Sequence, residues 1–288
     1  MFETNEDLAT ARARNVRDAL AEDIGRGDWT ALLVPATQRV KARVIVREAA
    51  VLCGREWFEA CLHTLDPQAR VDWQHAEGAW MAANDAVCQI ESNARALLSA
   101  ERPALNFLQL LSATATLTRR HVDAIAGASP HPRGCAILDT RKTLPGLRQA
   151  QKYAVRVGGG RNQRLALWHG ILIKENHIAA AGGISAVLAN ARALNAEVEI
   201  QIEVETLDQL REALTCGATS VMLDNFAPTA LREAVALNAG RAELEVSGGV
   251  QLDRVREIAA SGVDRISIGA LTKDVRAVDL SMRVLERI

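Results

Sequence analysis

The sequence predicts an α/β protein in which a short βα barrel follows a smaller α+β domain. Apolar runs of about five residues alternate with amphipathic helices from residue 135 onward, and after the second run they recur roughly every 20 to 30 residues. The pattern is different before residue 110. Apolar strands separated by helices are typical of a parallel sheet that is covered by helices. An open doubly wound sheet remains the alternative to a closed barrel.

The region before residue 110 combines helices with short strands. Helices are predicted over residues 8–22, 54–65 and 94–118. Alternating or apolar runs at Arg39–Arg47 and Ala86–Ser92 predict strands between these helices. This mixture indicates a small α+β domain, and its last helix leads the chain into the second region.

Six strands are predicted in the second region, at Ala136–Asp139, Ile171–Lys174, Glu197–Glu203, Ser220–Asp224, Glu243–Val246 and Arg265–Ile268. The helices between them have one apolar face, and Thr206 followed by Gln209 is a capping-box pattern. Glycines stand where left-handed helix caps are expected, at Gly217, Gly240 and Gly262. A barrel of roughly 150 residues would be shorter than the ~250 residues of an eight-fold barrel.

The composition and charge exclude several classes of protein. The chain has 288 residues, of which 49% are apolar, and 34 Lys+Arg against 35 Asp+Glu give a net charge of -1, which argues against a nucleic-acid partner. No charge-free stretch reaches the ~18 residues of a membrane span, and the polar N-terminal stretch differs from a signal peptide. The 5 cysteines are widely spaced and predict neither a disulfide framework nor a zinc site. We therefore expect a cytoplasmic protein without a membrane partner.

The cations of the predicted active site follow the strands, because βα barrels build their active sites at the carboxyl ends of the strands. Arg141 and Lys142 follow one strand, Lys174 ends the next, and Arg164 is nearby in the sequence. Arginine offers a planar fork to carboxylate or phosphate groups, and lysine offers a point charge. These residues predict an anion site, although solvated salt bridges are the alternative for each one alone.

Two glycine turns follow the last two predicted strands, at Ser247-Gly248-Gly249 and at Gly269-Ala270. Glycine lets backbone N–H groups approach an anion, and the last two strand-end loops of a barrel are a frequent phosphate site. Either turn alone could be a simple tight connection. Together they favour binding of a phosphate monoester.

Two carboxylates, Glu203 and Asp224, lie at the ends of adjacent predicted strands. Hard oxygen ligands without His or Cys partners suit Mg²⁺, which is then held partly through water and substrate phosphates. The same carboxylates could instead pair with Lys142 or Lys174 and bind nothing.

The chain resembles the quinolinate phosphoribosyltransferase family, also called nicotinate-nucleotide pyrophosphorylase (carboxylating). The resemblance extends from Glu22-Asp23 to Asp279 and is carried by residues 139–148 (DTRKTLPGLR), 158–160 (GGG), 172–177 (LIKENH), 222–226 (MLDNF) and 269–272 (GALT). It implies transfer of phosphoribosyl from phosphoribosyl pyrophosphate to quinolinate. The expected products are nicotinate mononucleotide for NAD synthesis, pyrophosphate and CO₂.

The resemblance also implies which residues hold the two substrates. Quinolinate is expected at Arg102, Arg141, Lys142, Gln163, Arg164 and Lys174. Phosphoribosyl pyrophosphate is expected at Lys142, Lys174, Glu203, Asp224, Ser247, Gly248, Gly249, Gly269 and Ala270. Lys142, Glu203 and Asp224 are the expected catalytic residues, and the two carboxylates would hold Mg²⁺ through water or substrate. Arg102 would come from the other subunit of a homodimer.

The fold that the resemblance implies is an N-terminal α/β sandwich joined to a short, seven-stranded, TIM-like βα barrel. We predict the sandwich at residues 1–110 and the barrel at residues 111–274, with residues 275–288 packed back on the first domain. Two residues depart from the family pattern. Gln163 stands where the family often has His, and Pro103 follows Arg102 where a small polar residue is common. Because Gln can donate a hydrogen bond but carries no charge, we expect a modest effect on quinolinate affinity.

Other functions remain open on the sequence alone. One alternative is a relative on the same scaffold, either a molybdenum-transport-associated protein of unknown substrate or a nicotinate-specific transferase. Nicotinate has one carboxylate, so a transferase specific for it would not need Arg102, Arg141 and Arg164 together. An aldolase would use Lys174 as a Schiff base. A non-catalytic protein that binds a pyridine carboxylate or a sugar phosphate would release no pyrophosphate.

Overall fold

The computed structural model describes residues 6–288, which divide into two compact units. The first unit comprises Met1–Arg119, Thr143–Gly159 and Thr272–Ile288, and the second comprises Arg120–Lys142 and Gly160–Leu271. Every predicted site residue except Arg102 belongs to the second unit.

Strands and helices are numbered in chain order. The strands are β1 (Arg39–Val46), β2 (Ala50–Val51), β3 (Arg70–Trp73), β4 (Trp80–Met81), β5 (Ala86–Asn93), β6 (Ala136–Leu138), β7 (Ile171–Ile173), β8 (Ile200–Val204), β9 (Ser220–Asp224), β10 (Glu243–Ser247), β11 (Arg265–Ser267) and β12 (Leu280–Arg287). The α-helices are α1 (Leu8–Ile24), α2 (Arg55–Leu65), α3 (Ala94–Ile125), α4 (Arg148–Val157), α5 (Glu175–Ala181), α6 (Ile184–Ala193), α7 (Leu207–Thr215), α8 (Pro228–Asn238), α9 (Val255–Ala260) and α10 (Ala270–Lys273).

The first unit is built on a four-stranded sheet with the order β12-β1-β5-β3, in which each paired strand runs antiparallel to its neighbour. Strand β1 buries every second residue, as expected for a strand with one face on a core. The C-terminal strand β12 pairs with β1 from Leu280 opposite Val46 to Arg287 opposite Val40. The end of the chain therefore completes the sheet of the first unit.

Helices α2 and α3 contribute the large side chains of the hydrophobic core of the first unit. Trp57 and Phe58 on α2 and Leu108 and Leu111 on α3 are fully buried in one cluster with the β1 side chains. The indole N–H of Trp57 donates to Asn15 Oδ1 on α1 at 3.4 Å, so the polar edge of this buried ring has a partner.

The second unit contains a six-stranded parallel sheet with the order β6-β11-β10-β9-β8-β7. From β7 to β11 each strand lies beside its predecessor in the chain, and β6 then follows β11. This is the cyclic order of a barrel, whereas a doubly wound sheet reverses direction at a switch point. The structure therefore confirms the barrel and excludes the doubly wound alternative.

The barrel is not closed by hydrogen bonds between the described strands β6 and β7. Arg161 forms an isolated parallel bridge with Leu138 beside β6. Six strands are thus paired in the described sheet. The bridge at Arg161 stands where the predicted barrel has its seventh strand.

The local signals in the sequence are mostly confirmed. The Thr206 hydroxyl accepts the backbone N–H of Gln209 at 3.2 Å, and the cap glycines have positive φ, as at Gly217 (73°). One predicted strand is wrong at its start: Glu197 has a φ of 50°, a left-handed conformation, so β8 begins only at Ile200. No helix in the described part of the chain combines the length and apolarity that a membrane crossing requires.

Candidate active site

The carboxyl ends of adjacent barrel strands bring Lys174 and Glu203 together. In the β7–β8 pairing Ile173 lies opposite Ile202, so the next residue of each strand projects at the same edge of the sheet. Lys174 Nζ donates to Glu203 Oε2 at 2.9 Å, and the side chains are 46% and 9% exposed, respectively. A largely buried carboxylate thus holds a lysine whose ammonium group still reaches solvent.

Asp224 lies on the neighbouring strand within electrostatic reach of both predicted lysines. Burial raises the pKa of its carboxyl group above the ordinary value, and the positive charges of Lys174 and Lys142 act in the opposite direction. Glu205 and Glu175 reinforce the rise. The second unit therefore concentrates two lysines and several carboxylates at one end of the barrel.

Lys142 is placed by the turn after β6 and by Gly269. Its backbone N–H donates to Thr140 Oγ1 at 3.0 Å. A Cβ atom at Gly269 would come 3.1 Å from Lys142 Cδ and 3.9 Å from Lys142 Nζ. Gly269 therefore leaves space for the lysine side chain, and this is a reason for glycine at a position where the backbone φ is not positive.

The turn after β10 requires glycine for a different reason. Gly248 has a φ of 97°, and a Cβ there would overlap Asn225 Oδ1 and lie 2.7 Å from Asn225 Cγ. Gly249 has a φ of 55°, and a Cβ there would meet nothing within 4 Å. The backbone at Gly249 is therefore open to the close approach of an anion, whereas the backbone at Gly248 is covered by Asn225.

Asn225 links this glycine turn to Asp224. Its side-chain Nδ2 donates to Asp224 Oδ2 at 2.8 Å, and its backbone N–H donates to Ser247 O at 3.1 Å. Its φ of 55° is a left-handed conformation that Asn tolerates better than most residues. A role for Asn225 could not be predicted from the sequence, because its contact with the turn after β10 joins residues that are remote in the chain.

Arg141 and Arg164 lie close enough for their charges to interact. The pKa of Arg164 is lowered, first by burial and then by the positive charge of Arg141. Arg164 donates to Gly170 O at 2.8 Å, which holds its side chain against the start of β7. Two guanidinium groups that repel each other are suited to a ligand with more than one negative group.

The segment that carries Gln163 is held by the buried carboxylate of Asp139. The Gln163 backbone N–H donates to Asp139 Oδ1 at 3.0 Å, and Asn162 Nδ2 donates to Asp139 Oδ2 at 2.6 Å. The Gln163 side-chain Nε2 donates to Gln201 Oε1 on β8 at 3.2 Å. Asp139 and Gln201 had no assigned role in the sequence analysis, since their partners are remote in sequence.

Arg102, the remaining predicted residue, lies on α3 in the first unit. Its side chain is 57% exposed and its guanidinium is 3.8 Å from Glu101. It lines a cavity of about 360 Å³ in the first unit together with Arg14, Glu22 and Asn106.

No group of three or more His, Cys, Asp or Glu side chains among the described residues could hold a metal ion by itself. Glu203 and Asp224 nevertheless fit Mg²⁺ in one respect. They supply two hard oxygen donors, and an ion shared with substrate phosphates typically uses one or two carboxylates and several waters. The donor set therefore fits a Mg²⁺ ion that arrives with substrate.

Comparison with known proteins places both units in one family. Residues 28–112 match the quinolinate phosphoribosyl transferase N-terminal domain, and residues 114–283 match the C-terminal domain. A probable nicotinate-nucleotide pyrophosphorylase [carboxylating] of Bacillus subtilis is 38% identical over 91% of this chain and 90% of its own. The chloroplastic nicotinate-nucleotide pyrophosphorylase [carboxylating] of Arabidopsis thaliana is 37% identical over 93% of this chain and 81% of its own.

A solved structure agrees with these sequence matches. The nicotinate-nucleotide pyrophosphorylase of Francisella tularensis has 40% sequence identity and a TM-score of 0.91, and the match covers 98% of this chain and 100% of that chain. The barrel order, the charged residues at the strand ends and these matches agree on one assignment. The chain belongs to the quinolinate phosphoribosyltransferase family.

Proposed function

We propose that this protein transfers phosphoribosyl from phosphoribosyl pyrophosphate to quinolinate with loss of CO₂, giving nicotinate mononucleotide and pyrophosphate in NAD biosynthesis. The observation that carries the proposal is a set of close charges in a protein whose net charge is -1: Lys174 pairs with Glu203, Lys142 and Lys174 both act on Asp224, and Arg141 acts on Arg164. A relative in Nicotiana tabacum, 35% identical over 92% of this chain, is named quinolinate phosphoribosyltransferase [decarboxylating].

The two arginines are the proposed site for the quinolinate carboxylates. The charges of Arg141 and Arg164 already interact in the absence of an anion, so a dicarboxylate would relieve their repulsion. Gln163 adds an amide next to Arg164, and Lys142 and Lys174 complete the positive side of this site. Nicotinate, with one carboxylate, would leave part of this charge unpaired.

The lysines and the glycine turns are the proposed site for phosphoribosyl pyrophosphate. The turn at Ser247, Gly248 and Gly249 would receive the 5′-phosphate, together with Gly269 and Ala270. Lys142 and Lys174 would bind the pyrophosphate oxygens. Glu203 and Asp224 would bind the ribose hydroxyls and hold Mg²⁺, which when bound would neutralise charge on the departing pyrophosphate.

The chemistry needs no covalent bond to the protein. The pyridine nitrogen of quinolinate displaces pyrophosphate at C1 of the ribose, and positive charge develops on the sugar as the bond to pyrophosphate breaks. The carboxylates of Glu203 and Asp224 would stabilise that charge. The carboxylate next to the cationic ring nitrogen then leaves as CO₂, and a proton replaces it. The protein contributes positioning and electrostatic stabilisation.

We also propose a homodimer in which Arg102 reaches the site of the other subunit. The exposure of its guanidinium on α3 supports this role, since its ion pair with Glu101 is long at 3.8 Å. A cytoplasmic location is part of the proposal, and the five free cysteines support it, because a reducing compartment keeps thiols unpaired.

The Schiff-base alternative has less support. It requires a lysine whose amine is activated by an apolar pocket or a neighbouring cation. Lys174 is instead 46% exposed and paired with Glu203. Borohydride trapping of a carbonyl substrate on Lys174 would favour that alternative.

The experiment that tests the proposal measures pyrophosphate release by the purified protein with phosphoribosyl pyrophosphate and Mg²⁺, with quinolinate and nicotinate supplied in parallel. Release with quinolinate alone is the expected result. Release with nicotinate alone would assign the protein to the nicotinate-specific alternative, and no release with either would favour a binding protein or a relative with another substrate.

A further inference from the structure

A chain of polar side chains runs through the interior of the barrel to Gln163. Gln163 Nε2 donates to Gln201 Oε1 at 3.2 Å, and Gln201 Nε2 donates to Glu245 Oε2 at 2.9 Å. Glu245 Oε2 lies 2.8 Å from Arg265 Nε. The residues come from β8, β10 and β11 and from the segment before β7, so the chain crosses the sheet.

The far end of this chain is anchored by Arg265, whose side chain is only 12% exposed. Its guanidinium contacts Glu199 at 2.7 Å, Glu243 at 2.8 Å and Glu245 at 2.8 Å. Its NH2 group also donates to Ser220 Oγ at 2.8 Å. Arg265 is therefore fixed by side chains of β9 and β10 and of the residue before β8, and it holds the Glu245 carboxylate in place.

Glu245 and Gln201 are both enclosed. The Glu245 side chain is 0% exposed and Gln201 is 2% exposed. Glu245 Oε1 is buried with no hydrogen-bond partner, so all of its hydrogen bonding within the described residues goes through the other oxygen. A buried network with this few donors is sensitive to loss of any member, because an unmade buried hydrogen bond is costly.

The carboxylate dictates the orientation of the two amides. A carboxylate paired with arginine offers only acceptor atoms, so Gln201 must turn its NH₂ group toward Glu245. The Gln201 carbonyl oxygen then points to Gln163, which must turn its own NH₂ group toward Gln201. Glu245 therefore determines the orientation of the Gln163 amide through Gln201, although it does not hydrogen-bond Gln163 directly.

The same pair forms part of the wall of a cavity beside Arg164. Gln163, Arg164, Gln201 and Arg265 all line this cavity of about 380 Å³ in the second unit. The orientation of the Gln163 amide thus decides which polar atom this wall presents next to Arg164. A reversed amide would place the Gln163 carbonyl oxygen against the Gln201 carbonyl oxygen, and two acceptors repel each other.

We propose that Gln201 is a positioning residue for quinolinate: held by Glu245 and Arg265, it fixes the orientation of the Gln163 amide next to Arg164. This inference rests on the proposed function in one respect, the assignment of Gln163 to the quinolinate site. Gln201 itself does not contact the substrate, and its effect passes through Gln163.

The test is a double-mutant cycle with Gln163→Leu, Gln201→Leu and the double variant. We expect each single substitution to raise the KM for quinolinate about 5-fold, the effect of one lost hydrogen bond, while kcat and the KM for phosphoribosyl pyrophosphate change less than about 2-fold. The KM of the double variant for quinolinate should not exceed that of the single variant with the higher KM, because both substitutions remove the same interaction. Multiplication of the two single effects would overturn the proposal.

Two further variants separate positioning from general destabilisation. Gln201→Glu keeps the size of the side chain but sets a second carboxylate against Glu245, so we expect it to raise the KM for quinolinate at least as much as Gln201→Leu. Asn238→Ala removes another buried amide of the second unit, which hydrogen-bonds the backbone of Ala242, and should lower the melting temperature without raising this KM. An equal rise in KM for Asn238→Ala would contradict the proposal.

Calorimetric measurement of quinolinate binding distinguishes a failure of the proposed function from a failure of the role assigned to Gln201. Absence of both binding and turnover in the parent protein would overturn the proposed function and this inference with it. Normal binding to the parent protein and equally tight binding to Gln201→Leu would overturn only the role of Gln201. If Gln201→Leu does not fold, the same comparison is made with Gln201→Met.

Discussion

At the scale of single residues, the geometry of the site depends on two glycines whose lack of a side chain leaves space for neighbouring residues. Gly269 gives space to the Lys142 side chain, and Gly248 gives space to Asn225, which in turn hydrogen-bonds Asp224. The glycines are therefore part of the placement of charged groups. Both positions were predicted to bind phosphate, and the structure adds that they also determine where two catalytic candidates lie.

Replacing Lys142 with Ala should lower kcat/KM about 100-fold or more, because a positive charge next to the leaving pyrophosphate would be lost. Steady-state kinetics at saturating Mg²⁺ measure this effect, with Lys273→Ala as the control. Lys273 pairs with Asp274 at the end of α10 and should leave turnover unchanged. Full activity of the Lys142→Ala variant would show that the assigned role is wrong.

Replacing Gly248 with Ala should raise the KM for phosphoribosyl pyrophosphate about 10-fold, because the new Cβ displaces Asn225 at a backbone φ of 97°. Gly240→Ala is the matched control, since Gly240 follows α8, also has a positive φ of 75°, and its Cβ would meet no atom within 4 Å. Its backbone strain is similar in kind, but it does not move Asn225. Equal KM values for the two variants would contradict the importance of the contact with Asn225.

At the scale of elements, hydrogen bonds from remote segments hold strands and helices in register. Asp66 ends α2 and accepts the backbone N–H of Asn93 at 2.8 Å and the Ser92 hydroxyl at 2.9 Å, both at the end of β5. Burial acts to raise the pKa of Asp66, but these donors, Gln68 and Arg39 outweigh it and lower the pKa below the ordinary value of 3.8.

The Asp66→Asn substitution should lower the free energy of unfolding at pH 7 by about 1 to 3 kcal/mol. A carboxyl group whose pKa is lower in the folded state stabilises the fold fully above its unfolded value, and this contribution is lost as the pH falls through the folded value. The difference between parent and variant should therefore shrink below about pH 3.8.

Urea titrations at pH 7 and pH 3 measure this change, with Asp72→Asn on β3 as the control because its carboxylate accepts its hydrogen bond from the exposed side chain of Gln74. A difference between parent and Asp66→Asn that stays constant over this pH range would contradict the explanation.

Most elements could be predicted from the sequence because apolar runs and capping residues are local signals. The bounds of strand β9 agree with the prediction, since Ser220 and Asp224 flank an uninterrupted apolar run of three residues. The start of β8 was wrong because the left-handed Glu197 has no reliable local signal. The roles of Gln201 and Asn225 could not be predicted, because their hydrogen bonds join different strands and strand ends.

At the scale of the whole molecule, the site is proposed to be shared between two subunits. If Arg102 acts in the neighbouring subunit, a mixed dimer of Arg102→Ala and Lys142→Ala chains contains one site with both residues intact. Random mixing of the two inactive variants should therefore restore about a quarter of the parent activity, since half the dimers are mixed and half of their sites are complete.

Activity of the mixture is measured after unfolding and refolding the two variants together, and the two separately refolded variants are the control. No recovery in the mixture would contradict donation of Arg102 across the interface. Sedimentation of the same samples measures whether the protein is a dimer.

The most direct test of the proposed reaction measures the release of the carboxylate carbon as CO₂ and the release of pyrophosphate in the same sample. Quinolinate labelled in the carboxylate next to the ring nitrogen is supplied with phosphoribosyl pyrophosphate and Mg²⁺, and labelled CO₂ and pyrophosphate are counted. The account predicts one labelled CO₂ for each pyrophosphate released. Pyrophosphate released without labelled CO₂, or neither product formed, would contradict it.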